Sequence, residues 1–510
     1  MKLRSAALAL AVILIIAFAL RILVAYAMPS QCWPDEIYQS LEQAHRVVFG
    51  RGIVPWEYRE GTRSWLFPGA LAGIMAATSV VASSAQAYLM ACAAFLSAIS
   101  LAPLWVAFRW AQRTVSLRGA IVAAGTCALW YELVYFAPKA LTEVVSGNVL
   151  VVGVMLADAN RKPDAPRRNV IVCAALLALA AMMRIQLAPA AGICFLYMIV
   201  KLPVRRRWEA VIAAAAVVLA VGMLDAITWR YPFSSFIENI RVNIVEGRSK
   251  HYGMAPWYAY FQCYAQLWGV AGLGVLALAA VGATRARLAA VIALVVLVTH
   301  IPIAHKEYRF IYPSLVLVIV LAGIGLAIIV ERLGKTTRTA NLAAAGALAL
   351  MFTLSISLAN RYEDPGLVFA LGPKGHTVNM WTERTNFLCA TRQVGEDKDL
   401  CGLGLAALHW GQTGGYAYLH RDVPLLELLQ PPAVATATPY VNMLLGRPDL
   451  PAQLGPYVRG DCWNTVCIYK RPGGCSPLTP EVEVFVAGRD GGVMHTTPET
   501  STTSTQRTGD

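Results

Sequence analysis

Residues 6–42 of the chain read AALALAVILIIAFALRILVAYAMPSQCWPDEIYQSLE, an apolar run followed by a polar loop. A bilayer core about 30 Å thick requires roughly 20 apolar residues in a helix, and the run near 6–28 meets that length. The run is long for the apolar region of a cleaved signal peptide, so we expect a retained signal anchor. Asp35 and Glu36 come next, and an acidic pair beside a membrane surface suggests chemistry on a lipid-borne substrate.

The composition of the whole chain agrees with a membrane protein. Hydrophobic residues make up 57% of it, charged residues 14%, and the mean hydropathy is +0.53, which is not typical of a soluble globule. We therefore predict a polytopic α-helical membrane protein with about eleven transmembrane helices, near 6–28, 87–108, 119–137, 141–157, 169–183, 185–200, 208–228, 258–282, 288–304, 310–330 and 340–358.

The basic residues between these segments predict the orientation. A further apolar stretch, 66–81, would reverse the orientation of every later segment if it crossed the membrane. When it is left out, nearly every basic short loop falls on one side, which the positive-inside rule assigns to the cytoplasm. We therefore expect 66–81 to lie on or dip into the external face. The predicted external loops are 29–64, 137–140, 229–257 and 304–309.

The charge distribution also bears on the class of function. A net charge of +13 is explained by topology and anionic lipid, and no nucleic-acid-binding motif accompanies it, so nucleic acid is not an expected partner. A transporter or flippase for a lipid-linked glycan would place polar groups at mid-bilayer, often within inverted repeats. Here the charges cluster on one external face and no repeat is found. This pattern favours an enzyme, with the transporter as the alternative.

Several external residues are suited to a sugar or a phosphate. Trp56, Glu57 and Arg63 mix aromatic and charged groups near the end of the first loop, although an interfacial tryptophan belt explains the tryptophans equally well. His305, Lys306 and Arg309 place cationic groups on the face where they are usually depleted, which favours phosphate binding over a solvated connector.

Arg184 lies in a turn between two apolar segments that are short for two crossings. We expect this turn to be sunk into the outer leaflet, with Arg184 lining a polar cavity or contacting a partner. A snorkelling arginine is the structural alternative. Asp35 and Glu36 also have a structural alternative, since an acidic pair after a proline often begins a helix. Neighbours on a helix project about 100° apart, so we expect one of the two to act as a base and the other to support it.

The motifs of the external loops follow one another in a recognisable order. They are Pro34-Asp35-Glu36, Gln39-Ser40-Leu41-Glu42, Phe49-Gly50, Trp56-Glu57-Tyr58, Arg63-Ser64, Leu141-Thr142-Glu143, Asn243, Tyr252-Gly253, Pro256-Trp257-Tyr258 and the run 305–313. Over roughly residues 1–330 the chain resembles glycosyltransferase family 22, the dolichol-phosphate-mannose-dependent α-mannosyltransferases. The last run is most similar to the third GPI mannosyltransferases within that family.

The resemblance implies a GT-C fold and an inverting transfer of mannose from a β-linked polyprenyl phosphate to a hydroxyl on a lipid-carried acceptor. It matches Asp35 to the catalytic acidic position, and we expect Asp35 to be the general base, with Glu36 as a helper or a helix-start residue. His305, Lys306, Arg309 and Arg184 would bind the donor phosphate, so no obligatory metal or other cofactor is expected. The acceptor and sugar would contact Trp56, Glu57, Arg63, Tyr252 and Trp257.

The chain departs from the family at 183–187, at Lys139 and over its C-terminal part, and its short internal loops suggest a compact prokaryotic version. The identity of the acceptor in this family therefore cannot be transferred to this chain. Another polyprenyl-phosphate sugar, such as arabinose, or a protein acceptor remains an alternative.

The C-terminal part is predicted to form a small extracytoplasmic α+β domain. We place the transmembrane catalytic domain at 1–358, with its first external loop at 29–86, the C-terminal domain at 359–485 and a mostly disordered tail at 486–510. Local spacing favours disulfides Cys389–Cys401 and Cys462–Cys467 over a zinc site. The run 411–415 lacks the lysine of a phosphate-binding loop and is predicted to be a turn between strands.

Overall fold

The computed structural model describes residues 2–363 and 379–478. The predicted disordered tail at 486–510 lies outside these residues. The described part is mainly helical, and its α-helices span Lys2–Ala27, Glu42–Phe49, Trp56–Arg59, Leu66–Ser79, Ala85–Ile99, Ala102–Thr114, Leu117–Leu129, Tyr131–Tyr135, Thr142–Ala159, Arg167–Met183, Ala188–Ile199, Val204–Thr228, Ser234–Ile240, Ala259–Trp268, Ala271–Ala283, Arg287–His300, Tyr312–Leu333, Thr337–Ala359, Thr385–Glu396, Gly415–Leu419 and Pro431–Ala437. Single turns of π- or 3₁₀-helix cover Ile37–Leu41, Ile185–Leu187, Arg241–Val245, Arg248–Tyr252, Tyr308–Ile311 and Trp410–Gln412.

All of the predicted membrane segments contain helix, but their lengths differ. Within the described residues, six helices are long and apolar enough to cross a membrane, and a seventh span results if the pair Ala259–Trp268 and Ala271–Ala283, bent by 108°, counts as one. The other apolar helices are shorter, and breaks at Trp130 and Arg184 bound two of them. The apolar stretch 66–81 forms the helix Leu66–Ser79, about 21 Å long at 1.5 Å per residue and too short for a bilayer core.

The chain divides into two compact units, and this division differs from the predicted domain boundaries. The first unit contains Met1–Cys32, Glu60–Phe67 and Met90–Glu383. The second combines Trp33–Arg59 and Pro68–Leu89 with the chain from Arg384 onward. Much of the predicted first external loop therefore belongs to the same unit as the C-terminal domain, rather than to the unit that holds most of the apolar helices.

A buried central helix organises the first unit. Tyr312–Leu333 packs against several apolar helices of that unit, and most of its residues are buried. A Cβ added to Gly325 would lie only 1.9 Å from the carbonyl oxygen of Leu278, so the two backbones are in direct contact. Small residues permit such close approach between membrane helices. This helix begins directly after the predicted phosphate-binding segment and fixes where that segment lies.

The second unit is built on a six-stranded mixed sheet. Its strands are β1 Leu403–Ala406, β2 Leu425–Leu428, β3 Met443–Gly446, β4 Gln453–Leu454, β5 Tyr457–Cys462 and β6 Cys467–Lys470, in the order β2-β1-β3-β6-β5-β4. β2, β1 and β3 are parallel, and the remaining pairs are antiparallel. Leu426, Leu444 and Tyr469 form its apolar core with their neighbours. The predicted α+β C-terminal domain is confirmed.

One of the two predicted disulfides is wrong. Cys462 pairs with Cys467, as predicted, but Cys401 pairs with Cys475, and Cys389 is a free thiol. Cys475 lies 74 residues along the chain from Cys401. The sheet brings these two residues together, and local spacing could not show that.

Candidate active site

The acidic pair lies at the start of a helical segment in the second unit. Asp35 and Glu36 follow Pro34 and open a helix that continues, through one π-helical turn, to Phe49. The amide of Tyr38 donates to the carbonyl oxygen of Pro34 at 2.9 Å, which closes the first turn. The predicted helix start is confirmed. Asp35 is partly exposed, whereas Glu36 is only 7% exposed, so the two carboxylates have different access to a substrate.

A buried carboxylate about two turns further along holds this segment in place. Glu42 is fully buried and accepts hydrogen bonds from the backbone amides of Ile53 at 2.7 Å, Tyr416 at 3.0 Å and Ala417 at 2.8 Å. Burial raises the pKa of Glu42 to about 7, and the hydrogen bonds oppose that shift. This side chain therefore ties the first loop to the C-terminal part of the same unit.

Two of the predicted sugar-binding residues lie beside the same segment. Trp56 and Glu57 belong to the short helix that ends at Arg59. The amide nitrogen Nε2 of Gln39 donates to Glu57 Oε1 at 2.7 Å, and the hydroxyl of Tyr58 donates to the carbonyl oxygen of Gln39 at 2.9 Å. Glu57 is thus held against the helix that carries the acidic pair.

The first unit contains a cluster of alternating cations and carboxylates, which we call the basic cluster. Arg184 Nη2 lies 2.8 Å from Glu143 Oε1, and Arg309 Nη1 lies 3.2 Å from the same oxygen. Arg309 Nε is 2.5 Å from Glu307 Oε2, and His305 Nε2 is 2.9 Å from Glu307 Oε1. The structure therefore brings together three of the residues predicted to bind phosphate, through two carboxylates that were not assigned to the site.

The protonation states of the basic cluster follow from these contacts. Burial alone would lower the pKa of His305, but the hydrogen bond and charge of Glu307 raise it above its ordinary value. Burial alone would raise the pKa of Glu307, but the charge of Arg309 and the hydrogen bond from His305 hold it well below its usual range. With His305 protonated, the cluster has three cations and two carboxylates, so one net positive charge remains to attract an anion.

Lys306 and Arg63 take different positions. Lys306 is 5% exposed, and its Nζ donates to the carbonyl oxygens of Ala255, at 3.3 Å, and Ile303. Its ammonium therefore anchors two backbone segments to each other. Arg63 lies close enough to the basic cluster for its charge to act on Glu143. The structure thus places Arg63, predicted to contact a sugar, within electrostatic range of the predicted phosphate-binding residues.

The aromatic residues predicted in the long external loop are exposed. The Tyr252 ring centroid is 6.3 Å from that of His305, and the Tyr252 side chain is 49% exposed. Trp257 is 64% exposed and meets the rings of Tyr258 and Phe261 edge-on. Tyr252 is therefore placed beside the basic cluster, while Trp257 belongs to a neighbouring aromatic surface.

Arg184 occupies the tight turn predicted for it. It caps the helix that ends at Met183, and a single turn of 3₁₀-helix leads directly into the helix that begins at Ala188. Its carboxylate partner is Glu143, and its lining of a polar cavity stays a prediction. The depth of this turn in the bilayer stays a prediction.

Glu143 and Glu307 are the main residues of this cluster that the sequence did not assign. Each is an acidic residue at the edge of an apolar segment, and an ionisable residue near a membrane helix is a functional candidate by default. The signal was present in Leu141-Thr142-Glu143. What the sequence lacked was the pairing between distant helices. Within the described residues, no group of three or more His, Cys, Asp or Glu side chains is arranged to hold a metal ion.

The overall architecture has a clear counterpart among solved structures. ArnT from Cupriavidus metallidurans, bound to undecaprenyl phosphate, superposes with a TM-score of 0.58, covering 92% of this chain and 99% of that chain at 10% sequence identity. This likeness concerns the fold alone. The chain is an integral membrane protein with a GT-C fold, as predicted.

The family model of the Alg9-like mannosyltransferases matches residues 12–372, and the chain belongs to that family. Among its relatives, GPI mannosyltransferase 3 of Yarrowia lipolytica is 26% identical over 308 residues, 59% of each chain. Human GPI alpha-1,2-mannosyltransferase 3 is 24% identical over 329 residues, which cover 62% of this chain and 57% of the human protein. The chain thus matches less than two thirds of the length of these relatives. The family resemblance read from the external motifs is confirmed.

Proposed function

We propose that this protein transfers mannose from a polyprenyl-phosphate mannose donor to a hydroxyl of a lipid-linked glycan or glycolipid, and that it forms an α-mannoside on the extracytoplasmic face. The observation that supports it most is the basic cluster, in which two carboxylates hold Arg184, His305 and Arg309, in a chain of the Alg9-like mannosyltransferase family. Family membership also favours a transferase over a transporter of lipid-linked glycans.

The proposed reaction is a single displacement with inversion at the anomeric carbon. Asp35 takes the proton of the acceptor hydroxyl as its oxygen forms a bond to the anomeric carbon of mannose. The bond from that carbon to the phosphate oxygen breaks, and its electron pair leaves with the polyprenyl phosphate. Asp35 suits the role of base better than Glu36, because Glu36 is nearly inaccessible. Glu36 supports Asp35 from the same helical turn.

The leaving phosphate gains negative charge during this step, and fixed cations stabilise such charge best when they are held in place beforehand. In the proposal, Arg184, His305 and Arg309 fulfil this role, and Glu143 and Glu307 hold their side chains in position. Lys306 contributes mainly by anchoring the segment. These groups supply the cationic stabilisation without an obligatory metal. Arg63 adds positive charge nearby.

The sugars of donor and acceptor would contact the exposed aromatic and polar side chains. Aromatic rings pack on sugar faces, and charged groups bond to hydroxyls. We assign this role to Trp56 and Glu57, held beside the acidic pair, and to Tyr252 and Trp257, which are exposed on the long loop.

The experiment that tests this function uses purified protein in lipid nanodiscs. It is incubated with radiolabelled polyprenyl-phosphate mannose and a membrane lipid extract, and separately with other polyprenyl-phosphate sugars, including arabinose. We expect labelled mannose in a lipid fraction, and we expect an α-mannosidase to release that mannose from the lipid. Transfer of another sugar in preference to mannose would refute the proposed donor. Label on protein instead of lipid would refute the proposed class of acceptor.

The proposed orientation has its own test. Single cysteines replace Val81, which is 90% exposed, and the exposed Arg113, in a Cys389→Ser background. An impermeant thiol reagent should label the Val81 position in intact cells and leave the Arg113 position unlabelled until the membrane is opened. The reverse pattern would place the active site in the cytoplasm.

A further inference from the structure

The loop that follows β1 in the second unit lies beside the acidic pair. In sheets with parallel strands, ligands bind where the carboxyl ends of the strands meet. β1 ends at Ala406, and the next residues include His409 and Trp410. The parallel neighbour β2 contributes Glu427, which is 3% exposed and accepts a hydrogen bond from the Trp410 amide at 2.9 Å. We call residues 407–413 the β1 loop.

Contacts with the first external loop place the β1 loop next to Asp35. The Tyr38 hydroxyl donates to the backbone carbonyl oxygens of Trp410 and Thr413, the second at 2.7 Å. Its ring meets the Trp410 ring edge-on, with centroids 4.5 Å apart. A Cβ added to Gly411 would lie 3.9 Å from the Cβ of Pro34, the residue that precedes Asp35.

Two strained backbone positions are associated with the β1 loop. Ala407, its first residue, has φ 54°, and Arg384, which contacts it, has φ 55°, in the left-handed region that non-glycine residues rarely occupy. Arg384 Nη1 donates to the carbonyl oxygen of Gly411 at 2.9 Å. Such strain tends to be kept at functional sites. The loop is therefore held in a specific shape.

His409 presents a hydrogen-bond donor on this surface. Its Nδ1 accepts the amide hydrogen of Gly411 at 3.0 Å, so the proton of the neutral ring is on Nε2. Burial and the charge of Arg384 lower the pKa of His409 and keep the ring neutral at pH 7. Its side chain is 55% exposed, and its nearest carboxylate oxygen, on Glu427, is 3.9 Å away, beyond hydrogen-bond length. The ring packs on Trp410 with centroids 4.9 Å apart.

We propose that the β1 loop is a subsite for the acceptor glycan, in which the adjacent rings of His409 and Trp410 contact a sugar and His409 Nε2 donates to one of its hydroxyls. This assigns a role in acceptor recognition to the C-terminal domain, and it rests on the proposed glycosyl transfer. A neutral sugar fits the site, because the His409 ring that donates the hydrogen bond is uncharged and the surface is aromatic. His409 acts on specificity and positioning, while the proton transfer stays with Asp35.

The test compares His409→Ala and His409→Gln with Val458→Ala, a 60% exposed position on β5 of the same sheet. Steady-state kinetics are measured separately for the donor and for the acceptor lipid. We expect His409→Ala to raise the acceptor KM about tenfold, the effect of losing roughly 1.4 kcal/mol, with an unchanged donor KM. His409→Gln, which keeps a donor group, should recover part of the loss, and Val458→Ala should match the wild type.

Two outcomes separate this proposal from the proposed function. If the wild type transfers no mannose to lipid, the proposed function fails. If the wild type is active and His409→Ala leaves the acceptor KM unchanged, or raises donor and acceptor KM alike, the acceptor subsite is refuted while the proposed function stands. Melting curves of each variant show whether the domain remains folded.

Discussion

Replacing Glu143 with glutamine removes one negative charge from between two arginines while keeping the shape of the side chain. Glu143 is 2% exposed, and its Oε1 lies 2.8 Å from Arg184 and 3.2 Å from Arg309. Arg309 keeps its ion pair with Glu307, whereas Arg184 loses its ion pair with Glu143. The substitution therefore leaves two guanidinium groups close together with one carboxylate fewer.

The size of the effect follows from burial. Two charges about 4 Å apart attract by about 4 kcal/mol at an effective dielectric constant of 20. Removing one partner of a buried ion pair typically costs about 3–5 kcal/mol, because the other charge stays buried. We expect Glu143→Gln to lower the free energy of unfolding by about 3 kcal/mol, and the apparent melting temperature by roughly 3 °C in a chain of this size.

The assay is thermal unfolding of detergent-solubilised protein, with Glu331→Gln as the matched control. Glu331 pairs with Arg118 at 3.2 Å in the same unit, but both side chains are about one quarter exposed, and ion pairs of that kind contribute roughly 0–1 kcal/mol. If Glu143→Gln is no more destabilising than Glu331→Gln, the buried network does not hold the cluster together. The double variant Glu143→Gln/Arg184→Gln should regain part of the loss, because the unpaired charge is gone.

Two further predictions concern the pH dependence and the disulfide. The pKa of His305 is raised above its ordinary value of about 6.5, so the ring is positively charged at low pH and loses this charge as the pH rises through the raised pKa. The KM for the sugar donor should therefore increase at a pH above about 6.5. His305→Gln should flatten this rise, and a variant with the same pH profile as the wild type would exclude His305 from donor binding. Cys401→Ser removes a disulfide that spans 74 residues. The free energy of unfolding of the C-terminal domain should therefore fall by about 4 kcal/mol, and the domain should become sensitive to protease. Cys389→Ser, at a free thiol, should leave protease resistance unchanged, and equal sensitivity of both variants would contradict the assignment.

The sequence predicted the helical segments well because long apolar runs report directly on burial in lipid. The segment near Trp130 shows the limit of this signal. The run 119–137 is mostly apolar and was predicted as one span, but a break at Trp130 divides it into the helices Leu117–Leu129 and Tyr131–Tyr135, both shorter than a bilayer core. Hydropathy averages over this break, since most residues on both sides of it are apolar.

The candidate site was predicted in part. Arg184 and Arg309 were identified because basic residues are unusual in their positions, whereas Glu143 and Glu307 were missed as their partners. The pair formed by Glu143 and Arg309 joins residues 166 positions apart, and one sequence carries no record of such a contact. Glu307, by contrast, lies two positions from both of its partners, His305 and Arg309. The same limit explains the wrong pairing of Cys401 and the unexpected grouping of the first loop with the sheet in one compact unit.

The central claim is that Asp35 is the base of a mannosyl transfer. Transfer of radiolabelled mannose from polyprenyl-phosphate mannose to lipid is measured for the wild type, for Asp35→Asn and for Asp449→Asn. Asp449 is an exposed residue of the sheet unit, paired with Arg447, so its substitution serves as the matched control. Loss of a general base costs about 10²–10⁴ in rate. We predict a loss of that size in Asp35→Asn, in a folded protein, and wild-type transfer in Asp449→Asn. Equal transfer by Asp35→Asn and the wild type would contradict the account.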